Sequence, residues 1–155
     1  MKRMLFFIFL FSSCSIASEC DKSEVLVASC HISGKILRTA YICADKTGLS
    51  GRYVFERDSH VEMSVEFNKS YQLQRWLDKG TYTTYFGFQK SSYSYVIGVP
   101  EENFGAKAFL NVKKDGKDIM NKECDSNSFG YKEKDGEYVK DLNDELVLNG
   151  KSIFP

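Results

Sequence analysis

The chain carries almost no net charge, because its 21 basic residues balance 21 acidic ones. Loss of an N-terminal segment that contains Lys2 and Arg3 would leave only a slight acidic excess. Such a balance offers no bulk attraction to nucleic acid or to an anionic membrane surface. Beyond residue 11 the chain also lacks any long apolar run, so we expect a soluble mature protein with no transmembrane segment.

Recognisable catalytic and metal-binding motifs are also missing. No Gly-x-Ser-x-Gly elbow and no Cys-x-x-Cys knuckle occurs, and His31 and His60 are the only histidines. Cys30 cannot pair locally with His31, because neighbouring residues on a strand point to opposite faces. The sequence therefore predicts no catalytic residue, no metal and no cofactor. One alternative stays open, a small hydrolase that uses His60 with Glu62.

The first 17 residues have the layout of a secretory signal peptide. Lys2 and Arg3 precede an unbroken apolar run over residues 4–11, and Ser15-Ile16-Ala17 supplies a small-x-small cleavage site. We therefore predict that the mature chain is periplasmic or secreted. A lipoprotein is the alternative, because residues 10–14 loosely resemble a lipobox that would make Cys14 a lipid anchor.

Export changes the meaning of the cysteines. Cys14 leaves with the signal peptide, and four remain: Cys20, Cys30, Cys43 and Cys124. An even number in an exported chain predicts two disulfides. The sequence leaves all three pairings open. A bridge from Cys124 to any of the other three would close a long loop and add roughly 4 kcal/mol in the chain-entropy model.

Short strands separated by turn residues dominate the pattern. The clearest is 60–67, where Val61, Met63, Val65 and Phe67 alternate with polar residues and so predict one buried face. The predicted strands are 24–32, 36–43, 52–56, 60–67, 82–88, 93–99, 106–113 and 118–124. Residues 70–80 fit either an irregular strand or a helical turn, and residues 146–148 with 153–154 fit a short terminal strand.

This spacing predicts an all-β fold, an antiparallel β-sandwich or partly closed barrel that disulfides reinforce. The alternative is an α+β domain with a helix near residues 71–79. We assign residues 1–17 to the signal peptide, 18–124 to the β-sandwich domain and 125–155 to a polar C-terminal tail. The tail has few aliphatic residues, so we expect it to pack weakly.

Tyrosines gather on two neighbouring predicted strands, 82–88 and 93–99. Tyrosine and tryptophan are enriched at binding surfaces, because they offer a large contact area at a small entropic cost. We therefore predict a partner-binding surface formed by Arg75, Trp76, Tyr85, Lys90, Tyr93 and Tyr95. Residues 100–105 would join it if they lie at the same end. The alternative is that these rings cover the core and edges of the sheets.

Several short motifs resemble a group of small exported β-rich proteins of Gram-negative bacteria, most of them uncharacterised. The residues that carry this resemblance are 29–35, 42–43, 53–55 and 93–96. Ser50-Gly51-Arg52-Tyr53 is similar to the Ser-Gly-x-x-Tyr loop of periplasmic lysozyme inhibitors, and residues 76–80 are similar to their Trp-x-Lys-Gly motif. This second similarity implies a small periplasmic β protein that blocks a lytic enzyme. Immunity proteins against cell-wall-degrading toxins share that compartment and size.

Together these observations favour a non-enzymatic periplasmic binding protein without cofactors. We expect its partner to be a protein, such as a peptidoglycan hydrolase, which the chain occludes as an inhibitor or immunity protein. Loops on a rigid, disulfide-bonded scaffold suit that role, because little entropy is lost on binding. The alternatives are a small envelope lipoprotein with a structural role and the hydrolase introduced above.

Overall fold

The computed structural model describes residues 19–155. The predicted signal peptide and the alternative lipid anchor at Cys14 lie outside the described residues. Ten strands and one short helix form the described part. In chain order they are β1 Glu24–Ile32, β2 Arg38–Asp45, β3 Gly51–Arg57, β4 His60–Phe67, β5 Leu73–Asp78, β6 Thr83–Lys90, β7 Tyr93–Val99, β8 Phe109–Lys114, β9 Lys117–Glu123, β10 Val139–Leu142 and α1 Asp144–Leu148.

The strands form two sheets, which confirms the predicted all-β fold. Strands β1 to β4 make a four-stranded antiparallel sheet in chain order. The second sheet has six strands in the order β10-β5-β6-β7-β8-β9, and only its β10–β5 pair is parallel. Neither sheet closes on itself within residues 19–155, so the fold is an open β-sandwich and not a barrel.

The inner faces of the two sheets meet over an aromatic core. Tyr53 of the first sheet packs on Phe88 of the second with ring centroids 4.9 Å apart, and Phe67 contacts the same Phe88 ring at 5.3 Å. Tyr95 stacks beside Phe88 at 5.1 Å. Each such ring removes a large apolar area from water, at roughly 25 cal/mol for each Å². This burial fixes the two sheets against each other.

Strand β4 shows where the alternation pattern succeeds and where it fails. Val65 and Phe67 are buried as predicted, and Met63 packs partly against the core. Val61 is 59% exposed, so its predicted place in the buried face is wrong. The pairing with β3 shifts register there, because Phe55 faces Met63 but Glu56 faces Val61. This bulge leaves one extra residue on β4 and turns Val61 to the outer face.

The four cysteines that follow the predicted signal peptide form two disulfides, which confirms that prediction. The structure shows which of the three possible pairings they adopt. Cys20 bridges to Cys43 with Cα atoms 5.7 Å apart, and Cys30 bridges to Cys124 with Cα atoms 5.2 Å apart. The second bridge spans 94 residues of sequence. It joins β1 of the four-stranded sheet to the residue that follows β9 of the six-stranded sheet, so it holds the two layers together.

The C-terminal tail is integrated into the fold, which corrects the expectation of weak packing. Strand β10 pairs in parallel with β5, and Tyr138 beside it is fully buried. Residues 146–148 belong to helix α1, so the predicted terminal strand is wrong there. Asn143 caps this helix, because its side chain accepts a bond from the Leu146 N–H at 3.2 Å. Asp144 and Glu145 add favourable charge in the first turn.

Residues 70–80, which the sequence left open, contain strand β5 and no helix. The alternative of an α+β domain with a helix near residues 71–79 is therefore wrong. Buried Leu73 and half-buried Trp76 point to opposite faces of the sheet, as strand geometry requires. No helix within residues 19–155 has the length and apolar character to cross a membrane.

Candidate functional site

Arg75, a predicted partner contact, lies on β5 and is engaged by the protein itself. Its guanidinium forms a bidentate pair with Asp141 of β10, at 2.5 and 2.8 Å, and also binds the Asp135 carboxylate. It donates further bonds to the carbonyl oxygens of Lys132 and Lys134 at 3.1 and 3.3 Å. These anionic partners raise the pKa of Arg75. The Arg75 guanidinium thus uses its charge and its donors within the protein, where it holds the 132–135 loop and β10 against β5.

Trp76 and Tyr85 lie side by side on the outer face of the six-stranded sheet. They are cross-strand partners in β5 and β6, and their rings stack with centroids 4.8 Å apart. The Trp76 indole N–H donates to the Asp144 carboxylate at 2.8 Å, which ties the sheet to helix α1. Phe109 and Phe154 complete this cluster, with centroids 5.8 and 6.1 Å from Tyr85.

Lys90, Tyr93 and Tyr95 belong to the β6–β7 hairpin. Lys90 is exposed and pairs with Tyr93 across the hairpin, where the Tyr93 and Tyr95 rings stack at 6.3 Å. The Lys114 ammonium lies 5.4 Å above the Tyr93 ring. Tyr95 and its neighbour Phe88 face the core, whereas Tyr85 faces outward. The predicted residues therefore do not form one surface, and their rings pack mainly against other rings.

The opposite end of the six-stranded sheet carries an open groove with a volume of about 610 Å³. Thr84 of β6 pairs with Val99 of β7, so the loop before β6 and the loop after β7 lie next to each other. Arg75 and Glu101 both line the groove, which places β5 and the 100–105 loop at the same end. The other lining residues are Leu77, Lys79, Tyr82, Thr84, Lys132, Glu133, Asp135, Asp141, Leu142, Asn143 and Asp144.

Large apolar side chains stand exposed at this end. Leu77 is 47% exposed and Tyr82 60% exposed, and both line the groove. Phe104 in the neighbouring 100–105 loop is fully exposed. Solvated aromatic rings on loops beside a groove are a feature of surfaces that bind other molecules. We refer to the groove with its exposed lining residues Leu77 and Tyr82, together with Phe104 in the adjoining loop, as the loop-end surface.

A hydrogen-bonded turn directly precedes Tyr82. The Asp78 carboxylate accepts bonds from the Gly80 N–H at 2.8 Å and from the Thr81 hydroxyl at 2.8 Å. The hydrogen bond from the Thr81 hydroxyl stabilises the charged carboxylate and is the largest contribution that lowers the pKa of Asp78. Tyr82 follows with a φ of 52°, in the left-handed region that is costly for a residue with a large side chain. The turn thus presents the Tyr82 ring at the expense of local strain.

Sequence reasoning missed a polar cluster on the outer face of the four-stranded sheet. His31 Nε2 lies 2.6 Å from Glu19 Oε1, and Thr39 Oγ1 lies 3.4 Å from His31 Nδ1. The Tyr41 hydroxyl donates to Glu56 at 2.8 Å; burial, then this bond, raises the pKa of Tyr41 to about 12. The cluster binds the segment before β1 to the sheet, together with the Cys20–Cys43 disulfide. The alternation of side chains along β1, β2 and β3 is the sequence signal for this cluster, because it places these polar residues on one face.

The remaining candidate chemistry is accounted for by ordinary contacts. The sulfurs of Cys20 and Cys43 lie near the Glu24 carboxylate, but their disulfide removes both as metal ligands. The His60 ring is 2.9 Å from the Asp58 carbonyl oxygen, and Glu62 pairs with Arg57 at 3.5 Å. Within residues 19–155 no hydrogen bond joins His60 to Glu62. The geometry therefore gives the hydrolase alternative no assembled acid–base pair.

Comparison with protein-family models, with curated proteins and with solved structures found no match. The residues similar to the lysozyme inhibitors' loop lie at the start of β3, where Tyr53 is almost fully buried in the core. Arg52 beside it forms a bidentate pair with Glu24 at 2.8 Å. Neither side chain is free to meet a partner. The functional argument therefore depends on the loop-end surface.

Proposed function

We propose that the protein is a non-enzymatic binding protein that docks a protein partner on its loop-end surface. The observation that carries the proposal is the pair of solvated rings, Tyr82, which lines the groove, and Phe104, in the loop that contributes Glu101 to it. Aromatic side chains that become buried when a partner binds provide most of the binding energy in many protein interfaces. The Asp78 bonds order the backbone directly before Tyr82, so docking has less of this turn to order.

The charged residues that line the groove indicate what kind of surface a partner would present. Five acidic residues and three basic residues line the groove, and one of the basic ones, Arg75, is already neutralised by Asp135 and Asp141. The groove is thus acidic overall and favours a partner with a basic surface. Two disulfides support an oxidising compartment. A peptidoglycan hydrolase in the periplasm fits both conditions, and the chain would act as its inhibitor or immunity protein.

The test is inhibition of cell-wall lysis. The mature chain is added to peptidoglycan together with each of a panel of wall hydrolases, and turbidity and direct binding are measured. Wild type should bind and inhibit one of them, and the double variant Tyr82→Ser/Phe104→Ser should bind at least tenfold more weakly. The reason is that losing a central aromatic anchor costs about 2 kcal/mol or more, and 1.4 kcal/mol corresponds to tenfold.

A matched control separates docking from general loss of surface hydrophobicity. Val61 and Ile119 are 59% and 57% exposed, and both lie on edge strands away from the groove. The variant Val61→Ser/Ile119→Ser should retain wild-type inhibition. Equal weakening by the two double variants, or a wild-type chain that inhibits no wall hydrolase, would contradict the proposal.

A further inference from the structure

The segment 150–155 lies across the outer face of the six-stranded sheet. The Phe154 ring sits 5.6 Å from the Trp76 ring and 6.1 Å from the Tyr85 ring, measured between centroids. Pro155 is buried, whereas Ile153 is 80% exposed. The segment therefore covers this face with two side chains and leaves the one before them in water. We call residues 150–155 the strap.

The sheet beneath the strap is shaped to receive a ring. A Cβ added at Gly87 would lie 2.7 Å from the edge of the Phe154 ring, so only glycine leaves room for it. At Gly98, next along the sheet, an added Cβ would overlap the Phe109 ring in the same way. Two glycines in adjacent central strands weaken a sheet unless something packs on them closely. Here they create a cleft whose walls are Trp76, Tyr85 and Phe109.

Side-chain packing alone fastens the strap to the sheet. The N–H groups of Lys151 and Ser152 both donate to the Leu146 carbonyl in helix α1, at 2.8 Å. Within residues 19–155 no hydrogen bond involves Ile153, Phe154 or Pro155. Burying one phenylalanine ring stabilises the closed strap only modestly, and ordering the segment offsets part of that gain. A contact of that size opens readily by local unfolding.

One polar atom near the cleft has no partner. Gln74 is the cross-strand neighbour of Gly87, so its side chain lies on the same face as the seated Phe154 ring. The Gln74 Oε1 atom is buried and accepts no hydrogen bond from any of the described residues 19–155. Leaving such an acceptor unpaired is unfavourable, because it has lost its water without gaining a protein donor. The strap therefore fills the cleft with its side chains but provides no hydrogen-bond donor for Gln74 Oε1.

Open space continues on the sheet beyond the strap. One cavity of about 290 Å³ is lined by Val96, Asn111 and Pro155 among others, and a second of about 320 Å³ lies toward Ser92 and also touches Pro155. A longer chain in the cleft could extend into either cavity. The polar side chain of Lys113 borders both cavities and that of Asn111 borders the first, and polar groups of this kind suit a peptide backbone.

We propose that this outer face is a peptide-binding cleft, and that the strap is its internal competitor. The ligand is a segment of a partner protein that carries an aromatic side chain followed by proline, as the strap does, and that donates an N–H to Gln74 Oε1. The cleft lies on a different face from the inner-facing Arg75 and Leu77 that line the loop-end groove, so this binding is separate from the function proposed above. Displacement of Phe154 is the step that opens it.

The experiment uses the full chain with Phe154→Ala and the synthetic peptide Gly-Lys-Ser-Ile-Phe-Pro as probe. Trp76 is the only tryptophan, so its fluorescence reports directly on the cleft. The variant should bind the peptide in the millimolar range and recover the wild-type emission of Trp76. Wild type should bind at least about twofold more weakly, because its own strap competes at a millimolar effective concentration that is comparable to the Kd. A peptide with alanine in place of phenylalanine should not bind.

A second variant keeps the test decisive if Phe154→Ala alters more than the strap. Gly87→Val in the Phe154→Ala background fills the ring seat, so it should abolish peptide binding. Far-UV circular dichroism and a thiol count establish that both variants are folded with two disulfides. Three results would overturn the proposal: no binding by the folded Phe154→Ala chain, equal binding by wild type, or unchanged binding by the Gly87→Val variant.

Discussion

At the scale of single residues, Arg75 shows how a side chain suited to recognition can serve the fold instead. The sequence places a cation beside Trp76, an arrangement frequent in interfaces. In the structure its guanidinium binds Asp135, Asp141 and two main-chain carbonyl groups. Planar guanidinium suits such multiple contacts better than an ammonium group. Arg75 therefore shapes the floor of the loop-end groove but has no free donor pair for a partner.

We predict that Arg75→Met lowers the free energy of unfolding by about 2 kcal/mol. Its side chain is only 11% exposed, and the loss leaves carbonyl groups and two carboxylates without their donor. Urea unfolding of the variant measures this loss. Arg57→Met is the control, because Arg57 is 44% exposed and its pair with Glu62 is worth less than about 0.5 kcal/mol. Equal losses in the two variants would contradict the assignment of Arg75 as a structural clamp.

The Glu24–Arg52 pair gives a prediction for acid. The bidentate bond from Arg52 holds the pKa of Glu24 below its ordinary value of 4.5. Because the folded pKa is lower than the unfolded one, the pair stabilises the fold above about pH 4.5, and the contribution is lost as the pH falls through the folded value. The variant Glu24→Gln should therefore be less stable than wild type at pH 7.

The same variant should approach wild type in acid. Unfolding by urea at a series of pH values measures the difference, which should shrink once the Glu24 carboxylate of wild type is protonated. Glu62→Gln is the control, since Glu62 forms only an exposed pair with Arg57. A Glu24→Gln deficit that stays constant down to pH 2 would show that the pair acts through packing and not through charge.

At the scale of elements, alternation predicted most of the sheet. The predicted strand 60–67 has the same bounds as β4, and 93–99 has the same bounds as β7. Strand 60–67 alternates apolar and polar residues, because one face meets the core and the other meets water, whereas 93–99 is recognisable by its Tyr, Val and Ile residues, which favour strands. Where one face is buried, the side-chain period alone fixes the strand.

Elements whose partners are distant in sequence were not predictable in the same way. Val139 of β10 pairs with Leu73 of β5, and four residues are too few to show a period. Val61 was misplaced because a bulge depends on the neighbouring strand. Helix α1 did leave a local signal, since Asn143 is followed by Asp144 and Glu145. The apolar run 146–148 by itself also fits a short strand, and only the cap before it favours the helix.

The candidate site was predictable only in part. The sequence singled out the 100–105 loop and Arg75 and asked whether they share one end, and the groove shows that they do. It could not show that Tyr82 and Phe104 are exposed, because solvent exposure of a ring depends on the packing of both sheets. It also could not separate Tyr85 from Tyr95, which face opposite sides of one sheet.

At the scale of the whole molecule, the 124–131 connection joins the two layers. The Asp125 and Tyr131 N–H groups donate to the carbonyl groups of His31 and Leu26 at 2.8 Å, and the Ser29 N–H donates to the buried Ser128 hydroxyl at 2.9 Å. This connection follows β1, which would otherwise be an open edge of the four-stranded sheet. Covering an edge in this way protects it from pairing with other chains.

The two disulfides should contribute different amounts to the free energy of unfolding. The chain-entropy model gives about 4.7 kcal/mol for a loop of the length that Cys30–Cys124 closes and about 3.4 kcal/mol for that of Cys20–Cys43. We therefore predict that Cys30→Ala/Cys124→Ala destabilises the chain more than Cys20→Ala/Cys43→Ala, by about 1 kcal/mol. Thermal and urea unfolding of the two double variants measure the order. The opposite order would show that the N-terminal bridge contributes chiefly through folded-state contacts.

The parallel pair at the edge of the larger sheet sets a limit on when this chain can finish folding. Strand β10 reaches back to β5 across 66 residues, and Cys124 closes on Cys30 across 94. Both contacts need all of the intervening residues to be present, so neither can form while those residues are still being added. Assembly of the larger sheet is therefore paced by long-range loop closure rather than by its local hairpins.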